Sequence, residues 1–473
     1  MITDVQKYLS QFYQGTKNPN LETMKYFTKK LNHPENVFKI IHIAGTNGKG
    51  SVTEMVCRVL IEQGYTVGKY MSPHLIKFNE RICVNNVQIS DEELLEFINK
   101  MEPLINDCNL HFGKPPTFFE ITTTLALWYF KIKKCDFVVL ETGLGGTYDC
   151  TNIVNPVVSI INSISYDHMS ILGNTLPEIA ENKAGIIKPN SNTVYMSQEK
   201  EVDDVIKKYC MSQNNSLHLL KQDDITNYSY TQEYQTFTYK NYKNIDINLK
   251  GIKQVKNAAL TLECMNILSD LGYKLEEEKT RKALRNVVHK GRFEQISTNP
   301  TIIYDGGHNE EAIKNFKHSV EMYYKDAKKV YLICSLKTKD HKTILKELLE
   351  DINATFIVHD GIRSSEGKTL NFTSKEVLYD EALNINKNAN VLKMDLLDSL
   401  KYVEQNFKDR VVFIIGSFYI YGAIADYLAN LKVWEILSHI FIFFYWQKNN
   451  CLVYYIQLIE HVFASKGGHR LWN

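Results

Sequence analysis

No two cysteines in this 473-residue chain stand in a C-x-x-C spacing, although nine are present. An odd, scattered set excludes a disulfide framework, offers no zinc site, and is expected of reduced thiols in a cytoplasmic compartment. A surplus of charge is also lacking. The 55 basic and 54 acidic residues leave a formal net charge of +1, which gives no electrostatic footprint for nucleic acid or an acidic partner. No apolar run is long enough to span a bilayer, and residues 1–8 show neither a secretory apolar core nor an arginine-rich transit pattern. A cytoplasmic protein with no clear membrane association is therefore expected. Internal repeats and low-complexity segments are missing as well. The length leaves room for two or three domains, and 44% hydrophobic residues suffice for a sizeable core.

One end has an unusual texture. Three of the four tryptophans lie beyond residue 433, beside the run Ile440-Phe441-Ile442-Phe443-Phe444-Tyr445-Trp446. With Cys451-Leu452-Val453-Tyr454-Tyr455-Ile456 this run reads as a hairpin around Lys448-Asn449-Asn450. Residues 433–473 are taken as an appendage unrelated to the chemistry. A docked extra element, a membrane-touching tail and an aberrant reading-frame end are the alternatives.

From residue 38 onward, apolar β-branched runs alternate with helical patterns, the mark of a parallel sheet covered by helices. Strands are expected at 38–44, 137–142, 157–161 and 193–197, and helices at 92–105 and 118–131. Between residues 217 and 250 a Tyr/Thr-rich alternation predicts a small antiparallel excursion, followed by a helical pair at 255–271 and 275–288. A second alternating set then begins, with strands at 301–304, 330–334, 354–358 and 411–415. This restart predicts a large α/β domain followed by a smaller one, with a ligand cleft between them.

The heptapeptide Gly45-Thr46-Asn47-Gly48-Lys49-Gly50-Ser51 directly follows the first strand. Strand, glycine-rich turn and a helical pattern over 51–63 together predict a phosphate loop. The glycines let successive N–H groups converge on phosphate oxygens, and the helix N-terminus adds a positive dipole end. Lys49 would neutralise the outer phosphates and Ser51 would offer a hydroxyl to Mg2+. A glycine-rich turn that binds nothing is the plainer alternative; the lysine, the serine and the strand in front weigh against it. The spacing is shorter than G-x-x-x-x-G-K-[ST], and Gly50 separates the lysine from the serine.

Glu141 closes an apolar strand ahead of Thr142-Gly143-Leu144-Gly145-Gly146. A carboxylate at the carboxyl end of a buried parallel strand points into the crevice where ligands bind, and suits Mg2+ as a hard oxygen ligand. A solvated strand-end acid is the alternative. His168, in Ser165-Tyr166-Asp167-His168, also falls at a strand's carboxyl side, where a lone histidine is more often structural than ligating. Lys183 ends a segment with a capping box (Thr175, Glu178), Pro177 in the first turn and Gly185 as a stop. Leu176, Ile179, Ala180 and Lys183 share one helix face. Burial there would depress the lysine pKa and favour a neutral amine able to capture carbon dioxide as a carbamate, an anionic oxygen ligand. Spacing alone favours the plainer reading, a lysine snorkelling from the stripe's edge.

The loop variant resembles the ATP loop of the Mur ligase superfamily. Within it, the wording of residues 42–51 is similar to that of folylpolyglutamate synthase and dihydrofolate synthase. Seven more motifs of that family follow in order. They are Ser72-Pro73-His74-Leu75, Thr117-Phe118-Phe119-Glu120-Ile121-Thr122-Thr123, Glu141 through Gly146, Asp167-His168 through Leu172-Gly173, Lys183-Ala184-Gly185-Ile186, Gly291-Arg292-Phe293 and Asp305-Gly306-Gly307-His308-Asn309. Gly416-Ser417-Phe418-Tyr419 is similar to a late G-S-L-Y. The resemblance implies a P-loop parallel-sheet ATPase domain of Mur ligase type over residues 1–296, a smaller Rossmann-like α/β domain over 297–432, and an atypical tail over 433–473.

The resemblance also implies residue roles. Ser72, Glu141 and His168 match Mg2+-binding positions, joining Ser51, and Lys183 matches the lysine that the family carbamylates. Asn257 matches an asparagine near the adenine, Arg292 falls at the interdomain hinge, and Asp305 and His308 match nucleotide-facing residues of the second domain. Lys49, Glu141, His168 and Lys183 are the expected catalytic set. Four positions depart from the family's wording: Thr147 replaces an arginine, Asn182 a glutamate, Lys253 a histidine and Gly307 an alanine.

The implied reaction is ATP- and Mg2+-dependent amide formation. A carboxylate of a reduced folate or dihydropteroate becomes an acyl phosphate, and the amine of L-glutamate then displaces phosphate. The expected partners are these small molecules alone, with no nucleic acid, and the expected state is a monomer. A UDP-muramyl amino-acid ligase shares the fold and chemistry, but the S-P-H-L, L-G-G and Asp-Gly-Gly-His-Asn wording favours the folate branch. A nucleotide switch protein is the non-enzymatic alternative; Asn182-Lys183-Ala184-Gly185 lacks the aspartate of its N-K-x-D motif.

Overall fold

A computed structural model describes residues 2–13, 20–362, 364–365 and 368–431. The tail expected at 433–473, hairpin included, lies outside the described residues. The named strands all precede Tyr421, where one compact unit ends.

The first sheet contains β1 (Lys39–Ala44), β2 (Val67–Tyr70), β3 (Ile82–Val84), β4 (Val87–Gln88), β5 (Phe137–Glu141), β6 (Val158–Ile161), β7 (Asn192–Met196) and β8 (Ser216–Leu220). Its order is β4-β3-β2-β5-β1-β6-β7-β8, parallel from β2 through β8 and closed at one edge by the antiparallel β3 and β4. β1 is buried from its second residue onward. Its alternate side chains feed two cores, as expected of a strand covered on both faces. Ile41 and Ile43 pack with Val52, Met55 and Val56 of helix Lys49–Glu62 and with helix Ile252–Asp270. Ile40 instead joins Val138, Leu140 and the helices Asp91–Phe112 and Phe118–Ile132.

The antiparallel excursion is present as β9 (Ile225–Tyr230), β10 (Gln235–Tyr239) and β11 (Tyr242–Ile247). Its expected first residues, however, form β8, which pairs in parallel with β7. Leu217 and Leu219 of β8 pack against the cluster that includes Val202 and Ile206 of helix Lys200–Ser212, so burial there overrides the alternating texture. Helix Asp91–Phe112 runs past its expected end at 105. The capping box of Ser90 and Glu93 starts it, and Gly113, at φ +66°, stops it.

The second sheet draws on β12 (Glu294–Thr298), β13 (Thr301–Asp305), β14 (Lys329–Ile333), β15 (Thr355–Val358), β18 (Asn390–Lys393) and β19 (Val411–Ile415), with a small hairpin of β16 (Ser364–Ser365) and β17 (Lys368–Thr369) beside it in sequence. Its order is β12-β13-β19-β14-β15-β18, parallel except for the leading β12. Ile303, Phe316, Ile333, Phe356 and Phe413 centre its core.

Candidate active site

Three adjacent parallel strands, β5, β1 and β6, end at the same edge, and the loops that leave them carry the chemistry-bearing residues. This is the crevice where open α/β sheets bind ligands. After β1 the chain turns through the phosphate loop into helix Lys49–Glu62, with Gly48 as N-cap at φ +81°. A Cβ on Gly48 would lie 2.5 Å from Asn162 Nδ2 and 2.8 Å from Asn257 Oδ1, so only glycine fits. Lys49 Nζ donates to the carbonyls of Gly45 (3.0 Å) and Thr46 (3.3 Å), and the buried Ser51 hydroxyl lies 3.0 Å from His289 Nδ1.

Glu141 is the last residue of β5 and is only 4% exposed. Burial pushes its carboxyl up to about 7 against the pull of Lys49, and Ser72 N–H donates to its Oε2 at 3.2 Å. A carboxylate so poorly compensated inside protein is a site that a cation would stabilise. Opposite in sign is Arg292. Burial lowers its pKa, Asp305 and Glu141 attract it, and its buried Nε has no hydrogen-bond partner among the described residues. An orphaned guanidinium nitrogen beside a phosphate loop fits an anion.

Lys183 does not snorkel. It is 2% exposed on helix Leu176–Ala184, and its Nζ donates to Gly45 O at 2.9 Å. Burial, reinforced by the charge of Lys49, lowers it to about 7. The amine is therefore neutral for a large fraction of the time at physiological pH. His168 follows β6 in a left-handed conformation (φ +50°) with its side chain 45% exposed, and partial desolvation lowers its imidazole pKa although Asp167 pulls the other way.

The second sheet reaches this edge through residues that sequence reasoning passed over. Asp167 Oδ1 accepts from Lys339 Nζ at 2.7 Å and Asp167 Oδ2 from Asn309 Nδ2 at 3.2 Å. Lys339 Nζ also lies 3.3 Å from His168 Nε2. Glu311, at the start of helix Glu310–Tyr324, accepts from Lys253 Nζ (2.7 Å), Asn47 Nδ2 (2.7 Å), Ser165 Oγ (2.8 Å) and Ser163 Oγ (3.0 Å). Asn47 and Asn309 exchange two further bonds of 3.1 Å through their amides. Asp305 ends β13 and accepts from Gly307 N (2.7 Å) and Phe293 N (2.9 Å), while His308 Nδ1 meets Gly306 O at 2.9 Å. Burial lowers His308 to about 4. The one signal in the sequence was position: Asp167 opens the motif that holds His168, and Glu311 lies just past the motif that ends at Asn309.

Asn257, expected near an adenine, is fully buried under the loop. Its Oδ1 accepts from Asn162 Nδ2 at 2.8 Å and its Nδ2 donates to Gln254 at 2.9 Å, and a Cβ on Gly48 would come within 2.8 Å of that Oδ1.

Over 425 residues the chain is 35% identical to the dihydrofolate synthase/folylpolyglutamate synthase of Bacillus subtilis, an alignment that spans 88% of this chain and 95% of that protein. The chain belongs to the dihydrofolate synthase/folylpolyglutamate synthase family. Residues 43–265 match the Mur ligase middle domain. The crystal structure of the folylpolyglutamate synthase of Thermotoga maritima superposes with a TM-score of 0.77 at 30% identity, covering 90% of this chain and 96% of that one. The Mycobacterium tuberculosis folylpolyglutamate synthase complexed with ADP and AMPPCP gives 0.79 at 25% identity, over 89% and 96%. The fold is thus that of a Mur-type ligase.

Two of this chain's departures from the family's wording turn out to touch. Thr147 donates to Asn182 O through both its N–H (2.8 Å) and its Oγ1 (2.9 Å), and Gly146 N donates to Asn182 Oδ1 at 3.1 Å. Where the family's wording carries an arginine and a glutamate, this chain has a neutral pair joined through the backbone. A third departure, Lys253, is the cation that faces Glu311.

Proposed function

We propose that this enzyme forms an amide between L-glutamate and the carboxylate of a reduced folate or dihydropteroate, using ATP and Mg2+. The observation that carries the reading is the meeting of the phosphate loop, the buried Glu141 and Arg292, whose buried Nε has no hydrogen-bond partner among the described residues, in a chain of this family. Residues 1–296 hold ATP and residues 297–432 close over it. The enzyme works as a single chain in the cytoplasm, in keeping with the eight free cysteines among its described residues. No helix among those residues is long and apolar enough to cross a membrane.

A free carboxylate acylates poorly because its leaving group would be oxide. Its oxygen attacks the γ-phosphorus, the bond to ADP breaks, and an acyl phosphate results. The glutamate amine then attacks the acyl carbon, phosphate departs and the amine's proton is released. The protein's part is positioning and charge neutralisation. Lys49 and the loop N–H groups hold the phosphates, Gly48 admits them, and Arg292 meets their charge. Asp305 and His308 approach the nucleotide from the second sheet, and closure excludes the water that would hydrolyse the acyl phosphate.

No cluster of three His, Cys, Asp or Glu side chains suited to a metal occurs among the described residues. The residues that would hold Mg2+ are Ser51, Ser72 and Glu141 for one ion, and Glu141, His168 and a carbamate on Lys183 for a second. Mg2+ supplies neutralisation of phosphate charge when bound. The carbamate forms when the neutral Lys183 amine attacks carbon dioxide and loses a proton.

The test is mass spectrometry of products after incubation with ATP and glutamate, with dihydropteroate and tetrahydrofolate in separate reactions. A mass gain of one glutamate in either supports the reading, and gains in both establish a bifunctional enzyme. No gain in either, with turnover of a UDP-muramyl substrate, overturns the folate assignment.

A further inference from the structure

The phosphate loop of this chain has an imidazole laid across it that none of the roles above uses. His289 lies in the connection between helix Glu277–Arg285 and β12, three residues before Arg292. Its Nδ1 is 3.0 Å from Ser51 Oγ. The same ring covers Gly50: a Cβ there would stand 3.1 Å from its Cε1 and 3.2 Å from its Nε2. The glycine that separates Lys49 from Ser51, and shifts this loop from the commoner spacing, thus leaves room for the imidazole against the first helical turn.

A serine in a helix's first turns ordinarily turns its hydroxyl proton back to a carbonyl one turn earlier. Ser51 has another choice. It is 1% exposed, and its partner among the described residues is His289. A hydroxyl has one proton and two lone pairs. With the proton committed to Nδ1, both lone pairs are free to face a cation beside the phosphates. If the ring instead donated from Nδ1, one lone pair would be consumed.

We propose that His289 is a positioning residue for the nucleotide's magnesium: it accepts the Ser51 proton at Nδ1 and so orients the serine oxygen toward the ion. This rests on the assignment of Ser51 to Mg2+. It does not depend on which acceptor the enzyme uses.

Three variants separate the hydrogen bond from packing. His289→Phe keeps a ring over Gly50 without an acceptor, His289→Asn keeps an acceptor near the Nδ1 position without the ring, and Ser51→Ala removes the partner. The readouts are titration of a nonhydrolysable ATP analogue with and without Mg2+, and the Mg2+ concentration giving half-maximal turnover. In His289→Phe the affinity gained on adding Mg2+ falls about tenfold, the scale of one well-made hydrogen bond. Half-maximal turnover needs correspondingly more Mg2+, while Mg2+-free affinity and kcat at saturating Mg2+ hold within about twofold. His289→Asn restores the Mg2+ response, and His289→Phe adds nothing in a Ser51→Ala background. Equal losses with and without Mg2+, an unchanged Mg2+ response, or failure of Asn to rescue overturns the proposal. A wild-type chain whose nucleotide affinity ignores Mg2+ overturns the metal assignment with it, whereas failure of folate acceptors alone leaves the binding readout intact.

Discussion

Lys183 shows how one side chain's surroundings set its chemistry. An exposed lysine is an ammonium at neutral pH and inert toward carbon dioxide. Sealed on the apolar face of helix Leu176–Ala184 and lowered to about 7, this one is a nucleophile for much of its time. Lys183→Ala removes the anion that would hold the second ion, together with one hydrogen bond to the Gly45 carbonyl, and keeps every side chain of the phosphate loop. Turnover should fall by at least about a hundredfold, the scale of losing a metal ligand, while the affinity for an ATP analogue changes by less than about threefold. Added small carboxylates should restore part of the activity by standing in the vacated space. Full activity in the variant would remove the carbamate from the mechanism. The stripe of Leu176, Ile179, Ala180 and Lys183 was legible in the sequence as a helical face. Its depth was not: spacing places a lysine on a face, and only the packing of neighbouring elements decides whether its end reaches water.

Among elements, the turn between β1 and helix Lys49–Glu62 is the most demanding. Gly48→Ala would force a left-handed backbone on an L side chain and push its Cβ into Asn162 and Asn257. The expected result is a folded protein, by circular dichroism, whose affinity for an ATP analogue has dropped by more than about tenfold, in line with a local cost above about 1 kcal/mol. Wild-type affinity would mean that the loop rearranges freely. β1, β5, β6, β13 and β19 announce themselves as continuous apolar runs because both of their faces are covered. β2 does not. It reads Val67-Gly68-Lys69-Tyr70, and Lys69 is buried because Glu54 meets it at 2.7 Å. An ion pair within the protein erases the apolar pattern that strand recognition relies on.

At the scale of the molecule, the two sheets meet through a polar clasp. Glu311 gathers four donors from the first sheet's side, and Asp167 gathers Lys339 and Asn309 from the second. Pairs separated by 58 to 264 residues in sequence carry no local signature, which is why motif reading gave a role to His168 but none to Asp167 beside it or to Glu311. Burial pushes Glu311 up, but Lys253 and the hydrogen bonds hold it at about 2, against an ordinary 4.5. A depressed carboxylate stabilises the fold fully above its unfolded value and loses that contribution as pH falls from 4.5 toward 2. Glu311→Gln should therefore cost about 2–3 kcal/mol in chemical denaturation at pH 7 and visibly less at pH 3.5. An equal cost at both values would show that the charge is not what matters.

Asn47 belongs to the phosphate loop and to the clasp at once. Free energies of this kind are shared in both directions: whatever factor the attached second sheet contributes to holding Asn47 in place, a ligand that favours the same placement returns to the attachment. The seven-residue loop is thus a thermodynamic toll point between occupancy and closure, and a weakened Glu311 would be felt as a looser grip on nucleotide even though Glu311 need never touch it.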